Sequence, residues 1–66
     1  MAYITKAERQ IAQLVADGKK DKEIAEAVGV SWHAARQRLR TLSEKIDASN
    51  RAMVAAWYVR TYEVRQ

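Results

Sequence analysis

Arg36, Gln37, Arg38 and Arg40 crowd together in a 66-residue chain, with Trp32 and His33 just ahead of them and Lys45 just behind. A guanidinium presents its N–H donors as a planar fork, and a carboxamide sets donors beside an acceptor. Both can therefore grip a planar partner through two parallel hydrogen bonds. Carboxylates, phosphates and the edges of nucleic-acid bases are such partners. Spacing decides which of these side chains act together. Alternation by two shares a face in a strand but scatters around a helix, where each residue turns about 100°.

The elements that must carry these residues are helical. Proline is absent, glycine occurs only at Gly18 and Gly29, and apolar residues recur at intervals of three and four. Thr5 to Glu8 has the form of a capping box, which starts a first helix near Lys6 and sends it to about Asp17, with Ile11, Leu14 and Val15 inward and Ala7 and Ala12 alongside. Gly18 stands where a left-handed residue would end it. A second helix covers 21–28, with Ile24, Ala25 and Val28 inward and Gly29 closing it. Ser31 caps a third helix over 31–46, whose buried stripe is Ala35, Leu39, Leu42 and Ile46. Ser49 is placed to cap a fourth helix over 50–63. The expected fold is all-α, a four-helix unit in one domain covering 1–66, with the tight second connection of a helix-turn-helix.

On that third helix the side opposite the buried stripe shows His33, Arg36, Gln37, Arg40 and Glu44. Arg36 and Arg40 point together, while Arg38 and Lys45 lie on the flank, where a long stem packs and its charge reaches outward. A net charge of +4 and an isoelectric point near 9.8 make a polyanion the expected partner. Double-stranded DNA suits the inventory. Arginine pairs with guanine O6 and N7, and glutamine with adenine N6 and N7, so Arg36, Gln37 and Arg40 are the expected base readers, with His33 and Trp32 near base edges or sugar. Arg38, Lys45, Lys22 and Ser31 are expected at phosphates, where they position without specifying.

The fourth helix is apolar nearly all round from Ala52 to Val59, more than a small core needs. Val54 and Tyr58 can face the core while Met53 and Trp57 face elsewhere. The alternative is that Trp57 folds down onto the first helix. We expect a homodimer through Met53, Ala56, Trp57 and Arg60, which would set two copies of the third helix on successive major-groove segments of an inverted repeat. Enzymatic activity is not expected, because acidic residues stand singly beside one histidine and no cysteine. No cofactor or metal is implied. The longest apolar run is too short to span a bilayer, the N-terminus lacks the apolar core of a signal peptide, and a cytoplasmic protein is expected.

From Ile4 to about Ala56 the chain resembles the LuxR/GerE-type helix-turn-helix domain of bacterial transcription regulators. The resemblance rests on Ile4, Thr5, Glu8, Ile11, Leu14, Gly18, then Lys22-Glu23-Ile24-Ala25, Val28-Gly29-Val30-Ser31, Lys45-Ile46 and Asn50-Arg51-Ala52, with spacing kept throughout. It implies that helix three enters the major groove, that helix four pairs two subunits, and that base contacts fall on Arg36, Gln37 and Arg40. The family usually has Thr-Val at Ala34 and Ala35, often His at Arg38, and a capping serine at Lys20, and bulky Trp32 is unusual for it. These departures bear on the operator sequence more than on the fold. Family members often carry a sensing domain ahead of this unit. With none before Lys6, activity is expected to follow the protein's abundance or a partner.

Two other readings compete. The stretch Arg38-Leu39-Arg40 also looks like the fourth region of sigma factors, which uses a related helix-turn-helix. A protein-interaction module could instead pair through helix four with another, larger transcription regulator and modulate it.

Overall fold

The computed structural model describes residues 3–63. The ends of the expected domain, 1–2 and 64–66, lie outside them. Within them run α1 (Lys6–Ala16), α2 (Asp21–Val28), α3 (Trp32–Lys45) and α4 (Arg51–Tyr58), followed by a π-helical turn, Val59–Glu63. The all-α reading holds.

Each helix end has an identifiable cause. At α1 the Thr5 hydroxyl accepts from the Glu8 N–H at 3.1 Å, and the Thr5 N–H donates to Glu8 Oε1 at 2.9 Å. Its far end closes when Lys19 N–H donates to the Leu14 carbonyl and Gly18 N–H to that of Val15. Gly18 has a φ of +82° there, a conformation that costs glycine nothing. At α2 the lysine side chain offers no acceptor, so only the return half of a capping box forms, from Lys20 N–H to Glu23 Oε1 at 2.8 Å. Ser31 Oγ accepts from the Ala34 N–H at 3.1 Å and caps α3.

Asp47 ends α3 with a φ of +58°. Ala48 N–H reaches the Ser43 carbonyl and Asp47 N–H that of Glu44, the closure glycine usually provides. The fourth helix departs from expectation at both ends. Asn50 is its cap rather than Ser49, because Asn50 Oδ1 accepts from the Met53 N–H at 3.0 Å. Regular α geometry also stops at Tyr58 instead of running to 63. In the wider turn that follows, the Tyr62 ring lies 5.0 Å from that of Tyr58 and 5.6 Å from that of Trp57, and Arg9 sits over it at 4.3 Å. This aromatic packing onto α1 accompanies the change of helical pitch.

The core is formed by Ile11, Ala12, Val15, Ile24, Ala25, Ala35, Leu42, Val54 and Tyr58. Leu39 and Ile46 pack on it, partly buried, so the α3 stripe faces inward as its spacing requires. Ile11, Ile24, Leu42 and Val54, one from each helix, are its fully buried large side chains. Burying such a side chain contributes roughly 1.5–3 kcal/mol. The helices pack mainly in two pairs, α4 along α1 and α3 along α2. That second pair is the helix-turn-helix. Only Gly29, Val30 and Ser31 separate its members, with Gly29 at a φ of +80° and Val30 packed onto the core.

Candidate nucleic-acid interface

Turning Ala35 and Leu42 inward forces the opposite side of α3 outward. Trp32, His33, Arg36, Gln37 and Arg40 are all exposed there. They share a shallow open groove whose other wall includes Asp21 and Arg51. The five residues assigned to bases are therefore brought together on one concave surface. Their charged tips are not bundled. The Arg36 guanidinium lies over the Trp32 ring, 4.8 Å from its centroid, toward the start of the helix. Arg40 leans the other way, with Nε 3.8 Å from Glu44 Oε2.

Arg38 and Lys22 are exposed but do not line that groove. Ser31 is exposed just before α3, with its oxygen already accepting the α3 capping bond. Lys45 differs from expectation. It is not a cation reaching outward from the flank of α3. Its Nζ donates to Glu8 Oε1 at 2.9 Å and to the Tyr3 carbonyl at 3.0 Å, which ties α3 to the start of α1. A partly covered ammonium holding two acceptors gains little from moving to a solvated phosphate. Position on the helix wheel could not reveal this, because Glu8 lies 37 residues away.

Glu8 itself is buried, with 8% of its surface exposed. Burial alone would raise its pKa, but the bonds from Lys45 and Thr5 outweigh that and hold the carboxyl below the ordinary glutamate range. Arg51 is the second tied cation. It donates to Asp21 Oδ1 at 2.7 Å and to the Lys19 carbonyl at 2.9 Å, joining the start of α4 to the α1–α2 turn. This pair also offsets the one carboxylate in the groove wall, which would otherwise repel a polyanion. In Asn50-Arg51, one residue thus caps α4 and the next fastens it.

The family model of the bacterial regulatory proteins of the LuxR family, GerE, matches residues 2–58. The chain belongs to that family. It is thus a helix-turn-helix DNA-binding regulatory domain. No individual curated protein and no solved structure matches it. Membership accounts for the tight α2–α3 connection, and the fixed contacts above give residues of the LuxR-type motif outside α3 a structural role. Glu8 and Lys45 pair with each other, Gly18 and Gly29 close helices, and Asn50 and Arg51 secure α4.

On α4, Met53 is 44% exposed and Ala52 and Ala56 are exposed beside it, with Val59 and Arg60 continuing the same side into the π turn. Trp57 is half-buried against the core and meets Tyr62 edge-on, so it does not stand out with Met53. Nothing in the sequence pattern marks the contact of Arg9 with Tyr62, because cation–π contact between distant elements leaves no periodic signal. Among the described residues no helix is long and apolar enough to cross a membrane.

Proposed function

We propose that this LuxR-family domain reads double-stranded DNA sequence with α3 in the major groove and regulates transcription in the cytoplasm as a homodimer, residues 1–66 acting as one unit. The shared groove carries this reading. Arg36, Gln37 and Arg40 are side chains able to make paired bonds to purine edges, and they lie on one open surface of the second helix of a helix-turn-helix. Trp32 and His33 approach base edges or sugar at the start of α3. Arg38 and Lys22 hold phosphates at the flanks, with the Ser31 O–H as a further donor. Lys45 moves from the phosphate set to the fold.

Dimerisation is proposed through the exposed side of α4, using Met53, Ala56 and Arg60, with Val59 added and Trp57 at its margin. Spacing of three and four between Ala52, Ala56 and Val59 makes this a continuous stripe that the monomer core does not cover. The same stripe supports a second reading, a module that pairs through α4 with a larger regulator.

Selection of bound duplexes from a random pool, at near-physiological salt to suppress non-specific phosphate binding, tests the proposal. An enriched inverted repeat is the expected result. A folded protein that enriches nothing would favour the pairing module instead. Sedimentation of Met53→Glu, expected to be monomeric where the wild type is dimeric, tests the stripe, and an unchanged oligomeric state would remove α4 from the interface.

A further inference from the structure

Trp32 is the large side chain that the fold leaves most conspicuously in the groove. It is 51% exposed at the first position of α3, beside the tight turn. Nothing in the core requires an indole there. Its neighbour is the Arg36 guanidinium, one helical turn on and 4.8 Å from the ring centroid, within the range of a cation–π contact. The first turn of α3 holds no acidic residue, Glu44 pairs with Arg40 and Asp21 with Arg51, and among the described residues no carboxylate is paired with Arg36. The indole therefore restrains this guanidinium, and the Arg36 side chain is exposed in the groove.

A restrained guanidinium has two faces and a donor edge. The donor edge suits guanine O6 and N7, which hold a guanidinium close to the plane of the base. In right-handed B-form DNA a guanidinium in that plane turns one face toward the base on the 5′ side of the guanine, and the C5 substituent of a pyrimidine there projects into the major groove. A methyl group at that position gives the face an apolar neighbour.

We propose that Arg36, with one face on Trp32 and the other turned to the 5′ neighbour, reads a guanine preceded on its 5′ side by a C5-methylated pyrimidine. Thymine and 5-methylcytosine present the same methyl group and are the two sources of this chemistry. The inference rests on the reading that α3 enters the major groove. Trp32 acts here as a positioning residue, through Arg36. Binding then depends on the methylation of a cytosine at this step.

Duplexes built on the selected site, differing only at the base before the guanine, provide the test. Thymine is compared with uracil and 5-methylcytosine with cytosine, so that each pair differs by one methyl group. The wild type is expected to bind the methylated member of a pair about three- to fourfold more tightly. Trp32→Ala is expected to lose that discrimination and about tenfold of the preference for guanine. Trp32→Phe, which keeps a ring, is expected to retain most of both. Response in the thymine pair alone, or in the cytosine pair alone, supports the proposal and identifies the source.

Silence in both pairs overturns it, as does a Trp32→Ala variant that weakens every duplex equally while melting like the wild type. A selected site in which Arg36→Lys leaves guanine preference intact overturns it too, yet leaves major-groove reading by α3 in place. Absence of any enriched site overturns both.

Discussion

Two groups of cations stand on this small surface, and they differ in what already holds them. Lys45 and Arg51 each bind a carboxylate and a backbone carbonyl of another element, and they tie α3 to α1 and α4 to the α1–α2 turn. Among the described residues the ion pair of Arg40 and the cation–π contact of Arg36 are with side chains of their own helix, an exposed carboxylate and an indole, and Arg38 makes no ion pair. The first group is committed to the fold and the second is available to a ligand. Charge alone does not separate them, because all five are basic residues of one polyanion-binding domain. What separates them is whether a distant acceptor reaches the head group.

Breaking the first group should damage stability without touching specificity. Lys45→Ala is expected to cost about 2–3 kcal/mol in denaturant unfolding, because it removes charged hydrogen bonds and strands a buried carboxylate beneath the surface. Its effect on DNA binding by the folded protein should be equal for specific and scrambled duplexes. A variant with wild-type stability and weakened DNA binding would return Lys45 to the phosphate set.

Arg40→Ala should do the reverse. It is expected to lose about 1–3 kcal/mol of binding on the selected site, to relax preference at one base pair, and to leave the melting temperature nearly unchanged, since its pair with Glu44 is exposed. Titrations against matched and mismatched duplexes check this. Arg38→Ala sharpens the comparison on a finer scale. It is expected to lower affinity similarly for all sequences and to reduce the slope of log affinity against log salt by about 1.

Acid tests the tied group through Glu8. Its pKa is depressed in the folded state, so the stabilisation is present above the unfolded value and is lost as pH falls through the folded value. Stability should therefore decline at and below the ordinary glutamate range, and Glu8→Gln should flatten that decline. The smallest expected effect is at Asp47. Replacing it with glycine relieves a left-handed backbone but adds freedom to the unfolded chain, for a net gain of roughly 0.5 kcal/mol in thermal unfolding.

Features whose partners lie within a turn or two were legible in the sequence. The Thr5–Glu8 box, the closing glycines, the Ser31 cap and the α3 stripe are all local, and each is where its spacing puts it. The grouping of Trp32, His33, Arg36, Gln37 and Arg40 was legible for the same reason, since a helix wheel needs nothing beyond the helix. Contacts across the fold were not. Glu8 looked like half of a capping box and is also the seat of Lys45, while Arg51 looked like a family signature and is a clamp on Asp21 and Lys19. The choice of Asn50 over Ser49 as cap turned on one residue of register, and the π turn after Tyr58 goes with aromatic packing onto α1.

The central claim is that the outward side of α3 touches guanines from the major groove, and methylation interference on the selected duplex tests it most directly. Methylating guanine N7 places a group in the major groove where Arg36 and Arg40 would bond, and methylating adenine N3 alters the minor groove. N7 methylation of one or two guanines in each half-site is expected to block binding, while N3 methylation there has little effect. Interference confined to the minor groove, or binding indifferent to both, would contradict it.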